Sequence, residues 1–87
     1  MKDFVKNLIE QHKFAISQLN KIEACIESGN ALQGLSNGEV SLDEYVAIKY
    51  QNKLLKDYVS VLELRLEYND VIIIEGGDYF EKVEDKI

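Results

Sequence analysis

The sequence predicts a mainly α-helical fold: an antiparallel two-helix hairpin with a short C-terminal β-hairpin or extended segment, assembling as an oligomeric helical bundle. Three observations lead to this prediction. Two long stretches repeat apolar residues at spacings of three and four, a glycine-containing segment separates them, and a β-branched run follows the second stretch. A chain of 87 residues has the length of one small domain, so we expect residues 1–87 to form a single unit.

The first helix is predicted over residues 3–28. Its apolar row has the heptad spacing of a helix that packs along one face. The members of this row are Val5, Leu8, His12, Ala15, Leu19, Ile22 and Ile26. Gly29 and Asn30 then end the helix, because both tolerate the left-handed conformation found at helix C-termini.

A loop is predicted over residues 29–41, where Gly34 and the Asn37-Gly38 pair favour turns. The loop ends at a capping box that begins with Ser41. In this motif the Ser41 hydroxyl accepts a hydrogen bond from the amide of Glu44, three residues later. A second helix is therefore expected to begin at residue 42.

This second helix, residues 42–68, carries two apolar rows. One row comprises Ile48, Gln51, Leu55, Tyr58, Leu62 and Arg65. The other comprises Ala47, Tyr50, Leu54, Asp57, Val61, Leu64 and Tyr68. Because a single partner helix covers only one such row, we expect the second row to pack on another copy of the chain.

Three residues of the first row are polar or amphipathic: Gln51, Tyr58 and Arg65 recur every seven positions. Either they pack and pair at a subunit interface, or they face a pocket between copies. In a pocket, Arg65 can bind phosphate, Tyr58 can stack on a base, and Gln51 can bond to a base edge. Lys21, near the end of the first helix, is a candidate for a further cationic contact. These four residues are the predicted ligand-binding site.

The C-terminal segment is predicted to be strand, turn and strand over residues 71–83. Val71-Ile72-Ile73-Ile74 is a β-branched run, and Gly76-Gly77 favours a turn. Because an isolated two-stranded hairpin is marginal in water, this one is expected to dock on the helices or on a neighbouring subunit.

Composition argues against catalysis and against several classes of partner. The single histidine, His12, and the single cysteine, Cys25, are too few for the usual protein-only zinc site, and we expect no catalytic residues, no cofactor and no metal. The net charge is −6, with seven acidic and two basic residues after Leu66, so nucleic-acid binding is not expected. No apolar run is long enough to span a membrane, and the one cysteine suits a reducing compartment, so a cytoplasmic location is expected.

The pattern Gln51-x3-Leu55-x2-Tyr58-x2-Val61-Leu62-x2-Arg65-Leu66 resembles one carried by a group of small phage-encoded proteins. Their upstream helix has a signature similar to Lys21-Ile22-Glu23-Ala24-Cys25-Ile26, and the resemblance covers residues 15–66. In architecture the group is similar to the helical-hairpin sponge proteins of phages, of the anti-CBASS and Thoeris anti-defence type. Those proteins oligomerise and sequester cyclic nucleotide signals of bacterial immunity.

The resemblance implies a homo-oligomeric anti-defence protein that acts in the cytoplasm of an infected bacterium. It would bind a cyclic nucleotide or related immune signal at a subunit interface, without cleaving it. Two alternatives remain open from the residues. The first is a protein–protein inhibitor of a bacterial defence complex, resembling an anti-CRISPR protein, that uses the acidic C-terminal segment. The second is a structural module that only oligomerises.

Overall fold

The computed structural model describes residues 1–74 and 77–82. It is mainly helical and ends in a short antiparallel β-hairpin, as the sequence predicts. The elements in chain order are α1 (Asp3–Glu27), α2 (Asn30–Ser36), α3 (Leu42–Tyr68), β1 (Val71–Ile74) and β2 (Asp78–Glu81). Residue 83, the predicted end of the second strand, lies outside the described residues.

The long helices α1 and α3 pack antiparallel. Lys56 Nζ lies 3.4 Å from a carboxylate oxygen of Glu23, and His12 Nε2 lies 3.4 Å from one of Glu63. Residue numbers therefore rise along α1 as they fall along α3. The molecule is a rod of 65 × 21 × 16 Å, about two helices wide, so each helix has a side that the other cannot cover.

The buried row of α1 is the predicted one in its first half, where Val5, Leu8, His12 and Ala15 are all buried. The row that α3 packs against α1 differs from the predicted one. Its buried members are Val59, Leu62 and Leu66, and Ile48, Asn52 and Leu55 are half-buried.

The prediction that Gln51 and Tyr58 line the packed row is therefore wrong, whereas Arg65, the third predicted member, is half-buried. At about 100° per residue, a helical row through Ile48, Leu55 and Leu62 can continue through Gln51, Tyr58 and Arg65. It can continue equally well through the residue that follows each of these, namely Asn52, Val59 and Leu66. Those later residues include apolar Val59 and Leu66, whose burial contributes more than burial of polar groups would.

The loop predicted over residues 29–41 contains the short helix α2, which the sequence analysis missed. Gly29, with φ 80°, turns the chain between α1 and α2. Gly34 lies inside α2 and touches Val40: an added Cβ would stand 2.6 Å from Val40 Cγ2. Glycine is unfavourable in a helix, so its presence hid α2, which this close packing stabilises.

The bounds of α3 coincide with the predicted range of residues 42–68. At its start, the Ser41 hydroxyl accepts a hydrogen bond from the Glu44 amide at 3.1 Å, as the capping box predicts. At its end, Asn69 caps the helix and Asp70 takes a positive φ of 61°, which turns the chain into β1. A four-residue strand β1 then pairs antiparallel with β2, and Ile73 faces Tyr79 in the register.

The β-hairpin docks on the pair of long helices and closes one end of the core. Val71 is buried, and Ile73 and Tyr79 pack on the same apolar cluster as the helices. The fully buried side chains Leu8, Leu62 and Leu66 all lie at this end. In the described residues, no helix is both long enough and apolar enough to cross a membrane.

Candidate interaction surface on the third helix

The most prominent surface feature of the molecule is an apolar row along the uncovered side of α3. We call it the α3 outer face, and its members are Ala47, Tyr50, Leu54, Asp57, Val61, Leu64 and Tyr68. All seven are exposed, including Tyr68 at 77% and Tyr50 at 59%. The row is the second one that the sequence predicts, and α1 does not cover it.

Helical geometry explains why this row stays exposed. With about 100° per residue, Val61 and Leu64 lie roughly 100° and 160° around the helix from Leu62, which faces α1. A single neighbouring helix contacts only one side of α3, so the outer face points away from it. Tyr58 and Val46, also exposed, widen the apolar surface on either side of the row.

One charge interrupts the α3 outer face near its middle. The Asp57 carboxylate lies 3.7 Å from Lys53 Nζ, and both side chains are about two-thirds exposed. Such an exposed pair contributes little to stability. Asp57 therefore matters mainly as the single anionic position in an otherwise uncharged row.

The predicted site residues of α3 lie beside the outer face, on its border with α1. Gln51 is exposed and Tyr58 is 45% exposed, whereas Arg65 is half-buried. The Arg65 guanidinium carbon lies 5.7 Å from the centre of the Phe4 ring, within range of a cation–π contact. Gln51, Tyr58 and Arg65 follow one another at intervals of about 10 Å along the helix axis. They therefore form a strip along this border, here called the border strip, and not a cluster.

Lys21 is exposed on α1 and does not join the other three predicted residues. It lies between Leu19 and Ile22 of the packed row but about half a turn around the helix from it, which directs it away from α3. No hydrogen bond or ion pair of the described part of the chain links any two of the four predicted residues. The described part of one chain therefore does not bring the four residues into contact with each other.

A second polar group joins the β-hairpin to the helices. His12, only 3% exposed, shares a hydrogen bond of 2.5 Å between its Nδ1 and the hydroxyl of Tyr79. Its other nitrogen, Nε2, lies 3.4 Å from a carboxylate oxygen of Glu63 and has no hydrogen-bond partner within residues 1–74 and 77–82. The Tyr79 hydroxyl can donate to Nδ1 or accept from it, according to the imidazole tautomer. The sequence predicts His12 in the packed row of α1, as observed, but gives no signal for Tyr79 and Glu63, which come from distant segments.

The surroundings of Tyr79 favour its neutral form. Burial, together with the nearby charges of Glu63 and Glu10, raises the pKa of Tyr79 above its ordinary value of 10.0. The Lys13 ammonium lies 5.6 Å from the centre of the Tyr79 ring. The hydrogen bond to His12 holds the β-hairpin against the long helices.

Metal and thiol chemistry find little support in the residues that can be described. Across residues 1–74 and 77–82, no three His, Cys, Asp or Glu side chains are grouped so that they hold a metal ion. Cys25 is free and half-buried. A shallow groove of about 420 Å³ lies between α3 and β1 and is lined by Glu63, Glu67, Val71, Ile72, Ile73 and Lys82.

Comparison with known proteins gives no assignment. The chain matches no protein family, and neither the curated proteins nor the solved structures provide a match. The class of protein is therefore defined only by its own fold and surface: a small helical hairpin with a docked β-hairpin and a long uncovered apolar face. The resemblance to phage sponge proteins stays a prediction.

Proposed function

We propose that this protein is a binding module without catalytic activity that self-associates through the α3 outer face. The observation that supports this proposal is the solvent exposure of a heptad row that continues along most of α3. Rows with this spacing are typical of helices that pack on a second helix, and large exposed apolar patches mark interaction sites. Within one chain, α1 already occupies the other row.

The size of the exposed face suits a dimer. Its large apolar side chains are between 45% and 77% exposed, together with Tyr58 on its border. Covering them removes on the order of 700 Å² per copy from water, near the roughly 800 Å² per partner of a standard interface. At about 25 cal/mol per Å², burial of this area contributes enough to offset the cost of association.

The charge pattern of the row favours an antiparallel arrangement of two α3 helices. A parallel pair would set Asp57 against Asp57 of the second copy, and like charges facing each other destabilise an interface. In an antiparallel pair the two Asp57 carboxylates are kept apart when the two-fold axis lies away from Asp57. With the axis midway between Leu54 and Asp57, each Asp57 faces Leu54 of the second copy, and the two carboxylates are displaced by about 4.5 Å along the helices.

A second candidate function is capture of a cyclic nucleotide between copies, the anti-defence role that the resemblance implies. The observation that favours it is the position of Gln51, Tyr58 and Arg65 on the border of the α3 outer face. Two copies packed through that face bring two such strips together, and these offer stacking and phosphate contacts that one chain lacks. The net charge of −6 opposes an anionic ligand, so affinity would depend on these local groups.

The first test compares two matched substitutions of exposed leucines. Leu64→Glu adds a charge to the α3 outer face, and Leu32→Glu adds the same charge on α2, where the leucine is 54% exposed. We expect Leu64→Glu to lower the molar mass measured by light scattering to that of one chain while leaving the circular dichroism spectrum unchanged. Leu32→Glu should keep the mass of the unaltered protein.

Equal masses for both variants and for the unaltered protein would contradict the proposal.

The same samples allow a test of the second candidate function, nucleotide capture. Cyclic di- and trinucleotides are added, the protein is washed and heated, and the released compounds are identified by mass spectrometry. Release from the Leu32→Glu protein but not from the monomeric variant supports capture between copies. Release from neither, with no thermal shift, argues against nucleotide capture and leaves self-association standing.

A further inference from the structure

The border strip consists of side chains whose polar groups find no partner within the described part of one chain. Outside its cation–π contact with Phe4, the Arg65 guanidinium makes no hydrogen bond or ion pair there, and neither do the side chains of Gln51 and Tyr58. One heptad before Gln51 lies the exposed side chain of Glu44, which also has no ion pair in those residues. One edge of the α3 outer face therefore has a carboxylate near one end and a guanidinium near the other.

In an antiparallel pair of α3 helices, these edges adjoin each other. The two-fold axis runs between the helices and is perpendicular to both, so it places each edge beside the same edge of the second copy. With the axis midway between Leu54 and Asp57, Glu44 is level with Arg65 of the second copy to within about 3 Å along the helices. Gln51 then has the same offset of about 3 Å from Tyr58 of the second copy.

The groups that meet in this way are complementary. A guanidinium and a carboxylate form one of the strongest polar pairs, because two parallel N–H···O bonds can join them. The side-chain amide of Gln51 both donates and accepts, so it can bond to the Tyr58 hydroxyl of the second copy in either direction. The two-fold axis makes each of these contacts occur twice in the dimer.

The opposite edge of the outer face agrees with the same register. Lys53 Nζ lies 3.7 Å from the Asp57 carboxylate within one chain, and both side chains are exposed. In the antiparallel pair, Lys53 of the second copy is also within about 2 Å of Asp57 along the helices, so unlike charges alternate around the axis. In a parallel pair, Arg65 would be about 32 Å along the helices from Glu44 of the second copy.

On the basis of the proposed self-association through the α3 outer face, we propose that the border strip and Glu44 determine the specificity of that interface. Arg65 binds Glu44 of the second copy, Gln51 binds Tyr58 there, and these pairs set the orientation and register of the two α3 helices. An unrelated apolar helix can cover the outer face but lacks the matching strip, so the interface favours a second copy of this chain. The same contacts occupy Arg65 and therefore compete with phosphate binding at that residue.

Charge reversal tests this pairing, with the dimer Kd measured by sedimentation equilibrium. We expect Arg65→Glu and Glu44→Arg each to raise the Kd about tenfold at low ionic strength, because each places two like-charge contacts in the interface. The double variant Arg65→Glu/Glu44→Arg exchanges the two charges and should return the Kd to within about threefold of the unaltered value. Residues 44 and 65 of one chain are about 32 Å apart along α3, so this rescue requires contact between copies.

Two matched controls reverse charges away from the interface. Lys21→Glu and Glu27→Arg change exposed residues of α1 by the same amounts of charge and should leave the Kd within about threefold of the unaltered value. Because Glu44 and Arg65 lie near the ends of α3, circular dichroism checks that each variant keeps its helix content. The milder substitutions Glu44→Gln and Arg65→Gln, made singly and together, should show the same non-additive effect on the Kd.

A double charge reversal that dimerises no better than the two single variants would overturn the proposed pairing. Unchanged Kd values for the single variants would overturn it as well. In both cases self-association through the α3 outer face would stand, provided that Leu64→Glu gives a monomer. An unaltered protein that stays monomeric would overturn both proposals.

Discussion

At the scale of single residues, the buried polar group His12 shows how the β-hairpin is joined to the helices. One ring nitrogen bonds to the Tyr79 hydroxyl from β2, and the other faces the Glu63 carboxylate from α3. Burying an imidazole without partners is costly, so these contacts make the docked hairpin the favourable position. His12 therefore links three elements that are far apart in sequence.

The raised pKa of Tyr79 predicts a loss of stability in alkaline solution. The unfolded chain releases the phenol proton at about pH 10, whereas the folded chain retains it to higher pH. The contribution is fully present below pH 10, and the free energy of unfolding falls as the pH rises from there through the folded-state pKa. We expect Tyr79→Phe to be less stable by about 1 kcal/mol at neutral pH, through loss of the bond to His12.

The Tyr79→Phe variant should also lose less stability than the unaltered protein when the pH is raised from about 9 to about 11, because it lacks the phenol that titrates there. Urea unfolding followed by circular dichroism at several pH values measures both effects. Parallel curves of stability against pH for the two proteins would contradict this interpretation of the Tyr79 environment.

At the scale of elements, α3 has one packed row and one exposed row, and the two predict different outcomes for the same substitution. Leu62 is fully buried against α1, whereas Leu54 on the α3 outer face is 47% exposed. Leu62→Ala should lower the free energy of unfolding by about 3–4 kcal/mol, through lost burial and a residual cavity. Leu54→Ala should cost less than about 1 kcal/mol within the single chain.

Both substitutions are best made in the Leu64→Glu protein, so that association does not contribute to the measured stability. Urea unfolding of the two variants then compares a buried and an exposed leucine on one helix. Equal losses would mean that the outer row is covered within the chain, contrary to the described packing.

The elements also show what sequence patterns predict well. Ser41 and the apolar repeat predict both ends of α3, and the β-branched run predicts β1, because caps and periodicity act locally. The packed row of α3 was predicted correctly at Ile48, Leu55 and Leu62, but the buried residues between and after them are Val59 and Leu66, since the helical repeat permits two alignments. Helix α2 was missed, because its stability depends on the contact between Gly34 and Val40. The partners of His12 depend on tertiary structure and left no local signal.

At the scale of the whole molecule, the fold leaves the α3 outer face uncovered. This face is long and apolar, and an antiparallel arrangement can keep the two Asp57 carboxylates apart, so it suits a second copy of the chain. Whether the border strip of Gln51, Tyr58 and Arg65 also holds a ligand depends on this association, because one chain leaves these residues on an open surface.

The most direct test of self-association is the molar mass of the unaltered protein by sedimentation equilibrium, from about 1 μM to about 1 mM. We predict a mass that rises with concentration toward an integer multiple of the 10.0 kDa chain. A mass of one chain throughout this range would contradict the account, because the exposed row of α3 would then remain in water at every concentration tested.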